Sequence, residues 1–226
     1  MPLPELTERL REVRLRIATA IERGGHGQQV TIIAVTKTHG PEAVTVAWNA
    51  GIRSVGENKV QEALDKMDRV TEPVAWHLIG HLQRNKVKHL DRFAVFHAVD
   101  SERIAIAIGE RGQATGHMPS VLVQVNTSGE ETKGGFSLRE LPAVANALRE
   151  RGLVVQGAMT MAPWEADEAT LRATFRGCRQ ARDILGDAGF DATELSMGMS
   201  DDYETAVEEG ATMVRLGTVL FGARQS

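Results

Sequence analysis

Short apolar runs alternate with longer helical stretches along the whole chain, and this alternation restricts the fold more than any other feature. The first run is Thr31-Ile32-Ile33-Ala34-Val35, followed by a helical stretch that Pro41 opens. A second run ends near Gly56, with a helix from about Asn58. Further strands are expected over Ala75–Ile79, Phe93–Ala98, Val121–Val125, Leu153–Ala158, Thr193–Ser196 and Thr212–Leu216. Strands that alternate with helices make parallel sheets, because a parallel connection needs a crossover long enough to hold a helix. Eight such units predict closure into a (β/α)8 barrel of the TIM type. The chain has 226 residues, enough for one compact barrel, so a single α/β domain over 1–226 is expected.

Ahead of the first strand, Leu6, Leu10, Val13, Ile17 and Ile21 recur at helical spacing among Glu and Arg residues. This is an extra amphipathic N-terminal helix on the barrel's outside and not a targeting segment. Only ten residues follow Leu216, too few for a full eighth helix, and the N-terminal helix is expected to cover that position. No apolar run approaches the roughly 20 residues of a membrane span. The net charge of −4 argues against a general nucleic-acid binder. The only cysteine, Cys178, excludes an internal disulfide and fits a reducing compartment. A cytoplasmic protein is therefore expected.

Lys37 ends the first strand, and at period two it shares a face with Ile33 and Val35. It either snorkels to solvent just past the strand or points into the barrel. A desolvated lysine loses its proton more easily and becomes an amine that forms Schiff bases. On the last strand, Met213, Arg215 and Gly217 share a face. Strands one and eight are neighbours in a closed barrel, so Arg215 and Lys37 should meet at the C-terminal rim. The loops after strands seven and eight are this fold's usual phosphate site. That position should hold Ser196, Gly198, Gly217 and Thr218. Asp201 and Glu204 read as helix-start residues rather than a catalytic pair.

Other signals are weaker. His77 and His81 are four apart, but a strand and Gly80 separate them from helical ligand spacing, so no metal site is expected. Arg84, Lys86, Lys88 and Arg92 read as a solvated helix face. Cys178 reads as packing, since no activating partner is evident. Trp48, Trp76 and Trp164 read as core or rim. The Gly-rich stretch Ser128–Gly135 reads as a loop after the fifth strand.

Five segments together carry a resemblance. They are Ala34-Val35-Thr36-Lys37, Gly56-Glu57-Asn58-Lys59-Val60-Gln61-Glu62, Trp76-His77-Leu78-Ile79-Gly80, Leu195-Ser196-Met197-Gly198-Met199-Ser200-Asp201-Asp202 and Met213-Val214-Arg215-Leu216-Gly217-Thr218. In this order, the chain resembles the pyridoxal 5′-phosphate (PLP) homeostasis proteins of the alanine-racemase-like barrel group, over nearly its whole length. The resemblance implies a fold type III PLP-binding barrel that carries PLP as a Schiff base on Lys37. It implies that Ser196, Gly217 and Thr218 bind the phosphate, that Arg215 faces the pyridine nitrogen, and that Asn58 and His77 lie beside the ring. His81 stands where many relatives have Pro, and Lys59 where an aromatic is common.

Two functions follow from the resemblance. In the first, the protein stores, buffers or delivers PLP in vitamin B6 homeostasis, with PLP-dependent apoenzymes or B6-pathway enzymes as partners; the eight-unit alternation without a second domain adds the expectation of a monomer. In the second, it is a PLP-dependent amino-acid racemase-like enzyme. Racemisation needs acid/base groups on both faces of the substrate α-carbon. In the resembling racemases an additional C-terminal domain supplies one of them, and this chain stops at Ser226. A non-enzymatic role is therefore expected. An aldolase using Lys37 without PLP would leave the phosphate-binding segments unexplained.

Overall fold

The computed structural model describes residues 2–127 and 134–222, so most of the Ser128–Gly135 loop lies outside the described residues. Eight parallel strands close into a barrel in chain order. They are β1 (Thr31–Val35), β2 (Ser54–Glu57), β3 (Ala75–Leu78), β4 (Val95–Val99), β5 (Ser120–Gln124), β6 (Val154–Met159), β7 (Glu194–Ser196) and β8 (Met213–Leu216). The helices are α1 (Leu3–Gly24), α2 (Glu42–Asn49), α3 (Val60–Met67), α4 (Glu102–Thr115), α5 (Leu141–Glu150), α6 (Glu168–Asp187), α7 (Tyr203–Glu208) and α8 (Thr218–Phe221). Between β3 and β4 the chain forms a 3₁₀ segment, Arg84–Arg92, where an ordinary helix face was expected. Closure comes from β1 pairing with β8, with Ile33 opposite Arg215.

Helix α1 buries Leu6, Leu10, Val13, Ile17 and Ala20 in one stripe and packs against α7, α8 and α2. It covers the place that a short four-residue α8 leaves open, and Arg9 Nη1 ties the two by donating to Leu220 O. Fourth-strand pairing begins at Val95, not Phe93, because the Phe93 N–H closes the 3₁₀ segment onto Leu90 O. Outward strand residues such as Ala34, Val55, Leu78 and Phe96 are buried under the helices and form the main core. Cys178 is fully buried in α6, and burial pushes its thiol up to about 12. It is therefore a packing residue, with no thiolate near neutral pH.

The acidic residues before α7 divide their work differently from the expectation. Glu204 lies in the first turn, but its carboxylate reaches across to Arg16 and Arg23 of α1. The turn itself is closed by Asp202, which accepts from Met199 N at 2.5 Å, and not by Asp201.

Candidate functional site

Paired residues on parallel neighbours point to the same side of the sheet, so the register assigns the barrel's lining. Val35 lies opposite Gly56, and Gly56 opposite His77, all on the inward face. Ser196 lies opposite both Met159 and Met213, and Arg215 opposite Ile33.

Four inward side chains form one hydrogen-bonded chain across the lumen. His77 Nδ1 lies 2.9 Å from His97 Nε2, and His97 Nδ1 lies 2.8 Å from Ser196 Oγ. Arg215 Nη1 then donates to Ser196 Oγ and Ser196 O, each at 2.7 Å, while Nη2 donates to Thr160 O at 2.9 Å. Strands β4 and β7 are not neighbours, so the His97–Ser196 bond must cross the interior. All four members are nearly or fully buried. Burial holds His77 down at about 4 and His97 well below the usual histidine range. Both imidazoles are therefore neutral near pH 7, each able to donate from one nitrogen and accept at the other. Burial also lowers Arg215 to about 10, which leaves it a cation at neutral pH. Its Nε–H and one Nη2–H have no partner among the described residues.

The four residues expected to hold a phosphate do not come together. Ser196 sits opposite Met213, four residues and about 13 Å of strand before Gly217. Its hydroxyl is consumed by Arg215 and His97. Ser200, and not Ser196, lies beside Gly217. Ser200 Oγ accepts from Gly217 N at 3.3 Å and from Val219 N at 3.2 Å, at the start of α8. These bonds are longer than the usual 2.9–3.0 Å, and N–H groups that converge on one point at a helix start suit an anion. Thr218 is exposed beside them. Gly198 sits at a turn. Its φ is +92°, and a Cβ there would lie 2.6 Å from Ala206 Cβ and 3.0 Å from Tyr203 Cα. It therefore lets α7 pack closely.

Lys37 is half-buried just past β1, and among the described residues its amine has no hydrogen-bond or ion-pair partner. Asn58 is half-buried just past β2. A Cβ on Gly80 would meet Asn58 O at 2.3 Å, so only glycine lets the chain leave β3 across Asn58. His81 is exposed and pairs with Asp100 at 2.7 Å, away from buried His77. Among the described residues no group of three or more His, Cys, Asp or Glu could hold a metal. No described helix is long and apolar enough to cross a membrane.

Lys37, Arg215, His77, Asn58, Gly217 and Thr218 thus lie at or below the C-terminal mouth, on β1, β2, β3 and β8 or just past them. Sequence reasoning missed His97, Thr160 and Ser200. His97 had a signal, since it alternates with Val95 at period two on an apolar strand. Ser200 had one too, as a second serine in the same loop.

Residues 10–225 match the family model described as alanine racemase, N-terminal domain. A curated protein of Aquifex aeolicus, the pyridoxal phosphate homeostasis protein, is 40% identical over 96% of this chain and 98% of its own. A solved structure of PipY from Synechococcus elongatus with PLP bound superposes with a TM-score of 0.84 at 34% identity, covering 96% of this chain and 100% of that one. D-threo-3-hydroxyaspartate dehydratase from Delftia shares the fold alone, at 22% identity and a TM-score of 0.69, with 94% of this chain and 59% of that chain covered.

Proposed function

The chain belongs to the pyridoxal phosphate homeostasis proteins, within the alanine racemase N-terminal domain family, and on that premise we propose that it binds PLP and stores, buffers or delivers it. The observation that carries this reading is the donor set at the barrel mouth. Gly217 and Val219 offer N–H groups now met only weakly by Ser200 Oγ, and Ser200 and Thr218 add hydroxyls. These would hold the phosphate. Arg215, with two N–H groups still free among the described residues, would face the ring nitrogen. Asn58 and His77 would lie beside the ring.

PLP would supply an aldehyde when bound, and Lys37, at this mouth, would supply the amine that holds it. A protonated guanidinium cannot take a proton from a partner. Arg215 would therefore leave a ring nitrogen neutral, which would weaken the ring as an electron sink. His77 and His97 are neutral and bonded to each other and to Ser196. These bonds fix the inward side chains in place, which supports a holding role. The reading is a non-catalytic carrier acting as a single-domain monomer in the cytoplasm, with PLP-dependent apoenzymes or B6-pathway enzymes as partners.

The test has two parts. Borohydride reduction followed by peptide mass mapping should place a pyridoxyl group on Lys37. Incubation of the PLP-loaded protein with single enantiomers of alanine or serine should show no interconversion by chiral chromatography. Turnover near the enzyme range of about 1 per second or faster would establish a racemase-like enzyme instead.

A further inference from the structure

Lys66 is a buried lysine with no part in the reading above. It lies in the last turn of α3, only 5% exposed. Its Nζ donates to Glu57 Oε1 at 2.6 Å, to Thr36 O at 2.7 Å and to Glu62 Oε1 at 2.9 Å. An ammonium has three donors and no lone pair, so Lys66 is fully satisfied and fully committed.

Its partners converge on the backbone around Lys37. Glu57, at the end of β2 and fully buried, also accepts from Thr36 Oγ1 at 2.5 Å. Glu62, in the first turn of α3, also accepts from Thr38 N at 2.7 Å. The residue before Lys37 is therefore held at its hydroxyl and carbonyl, and the residue after it at its N–H. The same carbonyl, Thr36 O, accepts from His39 N at 3.0 Å, which closes a turn with Lys37 and Thr38 at its centre. Thr38 has φ of +69°, the sign that a type II turn demands at this position and that a β-branched residue resists. That conformation persists because the surroundings over-determine it.

We propose that Glu57, Glu62 and Lys66 form a clamp that positions Lys37, by fixing the turn that presents its amine at the barrel mouth. The inference rests on the PLP reading and extends it to residues that touch no cofactor. It also assigns Lys66 a second consequence. Condensation joins a neutral lysine Nζ to the aldehyde carbon, and the aldehyde oxygen leaves as water. Lys66 Nζ is engaged by two glutamate side chains and a carbonyl and is buried away from the mouth, and Lys37 has no such partner among the described residues. The clamp thus also decides which lysine reacts.

The test compares Glu62→Ala with Glu62→Gln. Glu62 is partly exposed, and its loss leaves Lys66 two of its partners, so both variants should fold. Total bound PLP is measured by equilibrium dialysis, and the share fixed to Lys37 by borohydride is measured by peptide mass mapping. In Glu62→Ala the fixed share should fall several-fold at little-changed occupancy, because the phosphate donors lie on other loops. Glu62→Gln keeps a carbonyl acceptor for the Thr38 N–H and should restore most of the share. A merely structural role would lower occupancy, share and melting temperature together in Glu62→Ala, and that result overturns the clamp. So does a Glu62→Ala share equal to wild type. Wild type without fixation on Lys37 would overturn the PLP reading, and the clamp with it.

Discussion

Arg215 holds Ser196 from a single guanidinium nitrogen, with Nη1 at 2.7 Å from both the hydroxyl and the carbonyl oxygen. The pair joins β7 to β8 inside the barrel, well below the loop where Ser200 Oγ accepts from Gly217 and Val219. Two serines four residues apart therefore have separate duties, one internal and one at the mouth.

Ser196→Ala and Ser200→Ala should consequently fail in different ways. Ser196→Ala leaves a guanidinium N–H and His97 Nδ1 without their partner in a dry interior. The cost should be about 1–3 kcal/mol of stability, read as a lower denaturant midpoint, with PLP affinity changed only through that loss. Ser200→Ala should melt near wild type, because Ser200 is only half-buried. It should bind PLP about tenfold to a hundredfold more weakly, as expected for one charge-assisted hydrogen bond of roughly 1.5–3 kcal/mol. Equilibrium dialysis with pyridoxal as the control should show little effect of Ser200→Ala on the ligand that lacks phosphate. The reverse pattern would return the phosphate to Ser196.

Lys37→Ala should still bind PLP, more weakly, since several phosphate donors remain. Borohydride should then fix no pyridoxyl group to the chain, given that Lys66 is committed to its carboxylates. Efficient fixation on Lys66 or Lys59 in this variant would mean that the mouth does not select its amine.

The barrel was legible in the sequence because each strand is a short apolar, β-branched run set between helical periods, and eight of them leave one way to close. Lys37 and Arg215 could be paired across the whole length of the chain by the same argument, and their strands are adjacent. What the sequence hides is reach. Strand periodicity places Ser196 inward but does not say that the serine beside Gly217 lies four residues further along, at Ser200. It places His97 inward without saying that it bonds across the lumen to β7. The Lys66 cluster was hidden for a related reason. A lysine four residues after a glutamate on a helix reads as an ordinary surface pair, and only the packing of α3 on β2 buries it against Glu57.

The histidine pair should make the protein acid-labile. His77 titrates at about 4 and His97 well below the ordinary histidine range, because burial disfavours the imidazolium, while an unperturbed histidine titrates at 6.5. The unfolded chain therefore takes up these protons first as the pH falls. Stability is fully present above about 6.5 and is lost on acidification toward 4, by up to about 1.4 kcal/mol per pH unit for each histidine. Glu57, raised by burial, contributes with the opposite sign, so the comparison with His77→Gln isolates the effect. Between pH of about 7 and 5, wild type should lose more melting temperature than His77→Gln. Parallel curves would show that the pair is charged or open to water in the folded protein.

Gly198 and Gly217, both expected from the sequence at the phosphate position, should separate by stability. A methyl on Gly198 faces φ of +92° and a 2.6 Å contact with Ala206 Cβ, backed by Tyr203 Cα at 3.0 Å. Neither neighbour is the free end of a flexible side chain, so α7 must move as a unit. Left-handed backbone alone costs a non-glycine residue roughly 1–2 kcal/mol, and the overlap adds to it. Gly198→Ala should therefore lose more than about 2 kcal/mol, with PLP binding impaired only as the α7 end of the loop is displaced. Gly217 has φ of −114°, and a Cβ there would touch only Val35, at an ordinary 3.7 Å. Gly217→Ala should fold nearly as well as wild type. Its N–H survives the substitution, so phosphate affinity should change by no more than a few-fold. Chemical denaturation of both variants, each followed by PLP dialysis, decides the matter. If Gly198→Ala is as stable as wild type while Gly217→Ala unfolds, the close packing of α7 on the loop after β7 is wrong, and the placement of Ser200 at the mouth falls with it.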